Sequence, residues 1–169
     1  MSVKKITTLA LLTTIALTIF MIEAAIPTLV PIPGVKLGLA NIVTLFVINQ
    51  FGITDGALVL FARIVLASIF GGQMVSFMYS LCGGFLCLIV MVLINRLLMG
   101  KFVFITSIFG AIAHNLGQIF VAYVILSMSG IFAYLPYLMI SGIVTGLFTG
   151  LVCHFLIKAL GGRKWMREN

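Results

Sequence analysis

Within the run GAIAHNLGQIF, residues 110–120, a histidine, an asparagine and a glutamine interrupt an otherwise apolar stretch. His114 and Gln118 are four residues apart and share one face of a helix, while Asn115 lies about 100° round from His114. Imidazole and carboxamide groups both donate and accept hydrogen bonds, and burying them without partners costs free energy. Either they bond to neighbouring helices, for roughly 0.6 kcal/mol each on average, or they line a site for a hydrogen-bonding solute. Three such groups within five residues favour the solute site.

Other polar residues fall at a similar depth. Glu23 lies about 27 Å along a helix from Lys5, and Lys36 and Asn41 stand at the start of the next apolar run. A Glu23–Lys36 pair either pins the loop between them or contacts the solute. Arg63 lies about 12 Å beyond Asp55 on a helix. An unpaired charge there is costly, so it is expected to snorkel back or to pair with Asp55 in a structural role. No arrangement supports catalysis by this chain. The residues offer no Ser/His/Asp set, no paired carboxylates, no phosphate-cradling glycine loop and no metal cluster, and His154 stands apart from His114. Cys82, Cys87 and Cys153 sit in apolar runs without a CxxC pair and read as small hydrophobes. With few charges and several amide groups, the site suits a neutral or weakly charged, heteroaromatic solute.

The elements that position these residues are transmembrane helices. Of 169 residues, 63% are hydrophobic and 8% charged, against roughly 25% charged in soluble domains. An integral membrane protein follows. Prolines, glycines and charges divide the chain into six apolar runs at about 6–25, 37–51, 55–70, 74–99, 103–128 and 137–160. The predicted fold is all-α, a single domain of six membrane helices. The first run, about 17 apolar residues, exceeds the ~7–15 of a signal-peptide core and is taken as a helix. The segment between runs one and two carries Pro27, Pro31 and Pro33 and cannot be helical throughout. Gly71–Gln73 breaks the chain before the fourth run, and Asp55 is placed to cap the third.

Nine basic residues lie outside the spans, and with a cytoplasmic N-terminus all but Lys36 fall on the inner side. Both termini are therefore expected in the cytoplasm, with Trp165 anchoring the basic tail at the inner headgroups. The +7 net charge reads as a topology signal, and nucleic-acid binding is set aside. Gly142, Gly146 and Gly150 recur every four residues in the sixth run, as Ala10 and Thr14 do in the first. Such spacing lets a second helix approach closely, within the chain or on a partner subunit.

The stretches PGVKLGLANIVTL (33–45), IEAAIP (22–27) and GAIAHNLGQ (110–118) resemble the heptaprenyl diphosphate synthase component I family, also known as the Gx transporter family. The resemblance covers nearly the whole chain. That family is in turn similar to the substrate-binding S-components of energy-coupling factor (ECF) transporters, six-helix proteins with cytoplasmic termini. The resemblance implies that the loop Pro27–Lys36 closes over a small vitamin-like or quinone- or isoprenoid-related solute. It implies partners as well, a transmembrane T-component and two ATPase subunits, in a bacterial cell membrane. S-components dock through an AxxxA pattern in the first helix, which here reads Ala10-xxx-Thr14. The synthase label implies instead a non-catalytic membrane accessory of a prenyl diphosphate synthase. A lone aspartate cannot form the carboxylate clusters that hold magnesium in such enzymes.

Overall fold

Runs of apolar side chains twenty or so residues long must satisfy their backbone groups internally in lipid, and helices do so. The computed structural model describes residues 2–25, 36–71 and 74–160. Among them are six α-helices: α1 Val3–Ala25, α2 Asn41–Gln50, α3 Ile53–Gly71, α4 Met74–Leu97, α5 Val103–Leu126 and α6 Leu135–Ala159. A 3-10 helix, Ser129–Tyr134, leads into α6. The proline-bearing loop as far as residue 35, the Gly72–Gln73 break and the basic tail with Trp165 lie outside the described residues.

Five of the helices, with the 3-10 turn joined to α6, are long and apolar enough to cross a membrane. Their outward faces carry Leu58, Val65, Ile69, Phe85, Phe120 and Phe148, all substantially exposed. An apolar girdle of that extent would not survive in water. The chain is a multi-pass membrane protein.

The second helix departs from expectation. A span over 37–51 was anticipated, but α2 has ten residues, about 15 Å against the ~30 Å of a hydrocarbon core. Residues 36–40 are not α-helical. Non-helical backbone at this depth survives only where protein surrounds it, and α2 is surrounded. It touches every other α-helix, and all of its residues except Asn49 are buried. Leu45, Phe46, Val47 and Ile48 join Val59, Leu60, Ile64, Leu88 and Met91 in the main core. α2 is the hub of the bundle, with α1 and α3 on one side and α4, α5 and α6 around the rest.

α5 packs between α4 and α6. The α6 glycines serve this contact within the chain: a Cβ on Gly146 would stand 2.5 Å from Ile108 Cα, and one on Gly150 2.6 Å from Phe104 Cα. Ala10 and Thr14, in contrast, are exposed on α1, where Thr14 Oγ1 donates to the Ala10 carbonyl (3.0 Å). Asp55 does not cap α3, because that helix begins two residues earlier at Ile53. Its carboxylate pairs with Lys5 Nζ at 2.7 Å, tying the start of α1 to the start of α3.

Gly146→Val forces backbone apart at the α5–α6 crossing and is expected to cost about 1–3 kcal/mol or more. Thr14→Val on the exposed face of α1 stays within about 0.5 kcal/mol. Thermal unfolding of the two variants in detergent checks both values.

Candidate functional site

Breaking a helix inside a membrane leaves the first amides of the following helix without acceptors. In the turn before α2 the same shortage arises, and there the acceptor comes from another helix. Glu23, near the end of α1 and 5% exposed, takes the Gly38 amide on Oε1 (2.6 Å) and the Leu39 amide on Oε2 (3.0 Å). The amides of Asn41, Ile42 and Val43 are met by the carbonyls of Gly38, Leu39 and Ala40. The carboxylate thus anchors the turn that leads into α2, close to the positive end of the α2 dipole.

Gly38 is required here on two grounds. Its φ is +83°, and a Cβ would lie 3.0 Å from both Asn41 Nδ2 and His114 Cδ2. The segment 36–40 is a strap laid directly over the α5 imidazole.

Gln118 and His114 complete the strap's attachment. The Lys36 amide donates to Gln118 Oε1 at 3.3 Å, which fixes the carboxamide with its nitrogen toward His114. Gln118 Nε2 and His114 Nε2 are 3.0 Å apart. A carboxamide nitrogen only donates, so His114 Nε2 accepts and the ring proton sits on Nδ1. That Nδ1 faces the backbone of Gly83 on α4, where a Cβ would stand 2.9 Å away. Asn115 points elsewhere. Its Nδ2 donates to the Leu138 carbonyl of α6 (2.6 Å) and rests against Gly142, the neighbouring-helix role open to all three residues from sequence.

Glu23, Lys36, Asn41, His114 and Gln118 are thus gathered around one strap, and Asn115 is separated from them. The Glu23–Lys36 pair is not the contact formed: amides hold the carboxylate, and Lys36 Nζ lies 3.5 Å above the Phe20 ring. Arg63 corrects a second expectation. It neither pairs with Asp55 nor reaches solvent, being 2% exposed, and its guanidinium carbon lies 5.6 Å from the same Phe20 ring. Phe20 stands about 22 Å up α1 from Lys5, and Arg63 about 12 Å up α3 from Asp55. With Lys5 and Asp55 joined, the Arg63 side chain must rise toward the strap rather than descend. It comes close enough to interact electrostatically with Glu23, Lys36 and His114.

The site is therefore more charged than its sequence suggested. Two cations and one carboxylate meet around Phe20, and Arg63 Nε and Nη2 and Asn41 Oδ1 are buried without hydrogen-bond partners. Sequence reasoning missed Arg63 and Phe20 as members. The signal for Arg63 was its position as a lone mid-helix charge, and for Phe20 its spacing three residues before Glu23. Among the described residues no group of His, Cys, Asp or Glu is placed to hold a metal ion.

Burial lowers the Lys36 ammonium to about 8 from its ordinary 10.5; Glu23 partly offsets this, and Arg63 adds to it. The neutral amine, the reactive form, should therefore appear at Lys36 some two pH units below the ordinary lysine value of 10.5. Acylation rates measured by peptide mass spectrometry against pH should give a midpoint near 8 for Lys36. A midpoint at the ordinary 10.5 would contradict the burial of Lys36 against Phe20.

Residues 12–156, most of the chain, match the family described as heptaprenyl diphosphate synthase component I. No curated protein and no solved structure matched the chain. A match of this extent, from within α1 through nearly all of α6 and including every residue of the strap site, settles the family: the chain is a member of the heptaprenyl diphosphate synthase component I family.

Proposed function

We propose that this chain is the substrate-binding membrane subunit of an importer of the ECF type, with ATP hydrolysed on partner subunits. The observation that carries the reading is the strap site. A membrane protein has gathered a carboxylate, two cations, an imidazole and carboxamides at one depth, and several of their buried polar atoms remain unspent. Intramembrane ionisable groups of this kind mark substrate pathways more often than packing. A broken helix whose N-terminus points at the site is the device by which membrane transporters present backbone groups to a solute.

On this reading the strap is closed. A small vitamin-like or isoprenoid-related solute enters from the extracytoplasmic side by displacing residues 36–40 from Gln118 and His114. It then takes up hydrogen bonds to His114, Gln118 and Asn41. The basic residues Lys4, Lys5, Arg96, Lys101 and Lys158 lie at helix ends away from the strap, which supports cytoplasmic termini and a cell-membrane setting. The exposed Ala10–Thr14 face of α1 is then free for a T-component.

The family's description favours a second reading, a non-catalytic membrane component of a prenyl diphosphate synthase. Affinity capture from native membranes separates the two. Two ATPases and a membrane T-component are expected on the first reading, a soluble prenyl synthase on the second. For the site, the small molecules released from purified protein are identified by mass spectrometry and bound back. His114→Ala and Gln118→Ala should each weaken binding about tenfold or more while the helical content is kept. Binding unchanged in both variants would remove the solute from this site.

A further inference from the structure

We propose that the solute admitted at the strap carries an acid group, a carboxylate or a phosphate, which docks on the Nε–Nη2 edge of Arg63 beside Lys36. This rests on the strap being a solute site and goes further by naming the chemistry it accepts.

The observation is a charge imbalance with a direction. Glu23 is the only carboxylate at this end among the described residues, since Asp55 is tied to Lys5 at the other. Both Glu23 oxygens are engaged by the Gly38 and Leu39 amides. One carboxylate therefore faces two cations, Lys36 and Arg63, on the Phe20 ring. Arg63 is buried to 2% exposure, yet its Nε and Nη2 have no acceptor.

Those two nitrogens form one edge of the planar guanidinium, and their hydrogens point parallel. Two oxygens of a single acid fit that edge in a bidentate pair, the strongest geometry an arginine offers. A buried cation left without such a partner costs free energy, and the lone ring contact at 5.6 Å offsets little of it. The unpartnered amide oxygen of Asn41 suits a donor elsewhere on the same solute. An acid in this place could belong to a water-soluble compound or to the headgroup of a prenyl lipid.

The test uses the full chain in lipid nanodiscs. Benzoate and inorganic phosphate are added from the aqueous side, farnesyl phosphate is supplied within the lipid, and farnesol is the neutral control. Thermal shift and isothermal titration are read for the native chain, Arg63→Lys and Arg63→Gln. An acid is expected to raise the melting temperature in a concentration-dependent way while farnesol does not. A response to benzoate or phosphate assigns a water-soluble source, and one to farnesyl phosphate alone assigns a lipid headgroup. Arg63→Lys should weaken binding at least tenfold, because it keeps the charge and loses the edge, and Arg63→Gln should abolish it.

The unliganded Arg63→Gln protein supplies a readout that a purely structural arginine would not give. It should melt at the native temperature or above, since an uncompensated buried charge has been removed. Binding by farnesol but by none of the acids, or acid binding untouched in both variants, overturns the acid assignment and leaves the strap site standing. An Arg63→Gln chain that melts far lower without ligand and binds no acid in either form overturns it as well. The proposed transport role fails on a different result, the absence of any co-purifying solute together with the absence of ATPase partners.

Discussion

The fold depends on a carboxylate from α1 accepting two amides at the break before α2. Helix α2 is too short to reach across a bilayer unaided, and the strap that precedes it exposes amide groups where water is scarce. Hydrogen bonds to a charged acceptor contribute about 1.5–3 kcal/mol each, and Glu23 supplies two, from Gly38 and Leu39. Without them the strap would not lie on His114, and the Lys36 amide would not reach Gln118. The position of the hub helix and the composition of the site thus share one origin. A positive φ at Gly38 lets the backbone turn toward Glu23 while passing over the imidazole with no side chain between.

Charge is segregated along the bundle in a way that reinforces this arrangement. At one end Lys5 and Asp55 neutralise each other and join α1 to α3. At the other, Lys36 and Arg63 converge on Phe20 and share the single carboxylate of Glu23. Between them the core is apolar, built from α2 and the inward faces of α3 and α4. A separate cluster of Tyr79, Ile119, Ala122 and Leu138 holds α4, α5 and α6 together at the strap end. Buried polar atoms without partners occur at both ends, at Gln50 and Asn95 near the Lys5–Asp55 pair and at Arg63 and Asn41 by the strap, but only the strap end buries an arginine without an acceptor on its Nε–Nη2 edge.

Much of this was legible in the sequence, and for physical reasons. Long apolar runs bounded by Pro, Gly and charge have one solution in lipid, so five helices fell where hydropathy placed them, to within a few residues. The α6 glycines announced a close crossing, and its partner proved to be α5. The polar residues of the strap site were also visible, because their types are expensive at that depth. Two features were hidden. Hydropathy cannot distinguish ten helical residues after a strap from a continuous span, since Leu37, Leu39 and Ala40 are as apolar as α2 itself. The direction of Arg63 was equally unreadable. Spacing along α3 offers Asp55 at the right distance for a partner, and only the lateral packing of α1 on α3 puts Lys5 there first and opens the route up to Phe20.

Hydrogen exchange at the Gly38 and Leu39 amides, compared between the native chain and Glu23→Gln in nanodiscs, tests this arrangement most directly. Both amides should exchange slowly in the native chain and at least tenfold faster in the variant, where one bond and the negative charge are lost, a change of about 1.4 kcal/mol or more. Equal protection of both amides in the two proteins would mean that Glu23 does not hold the strap.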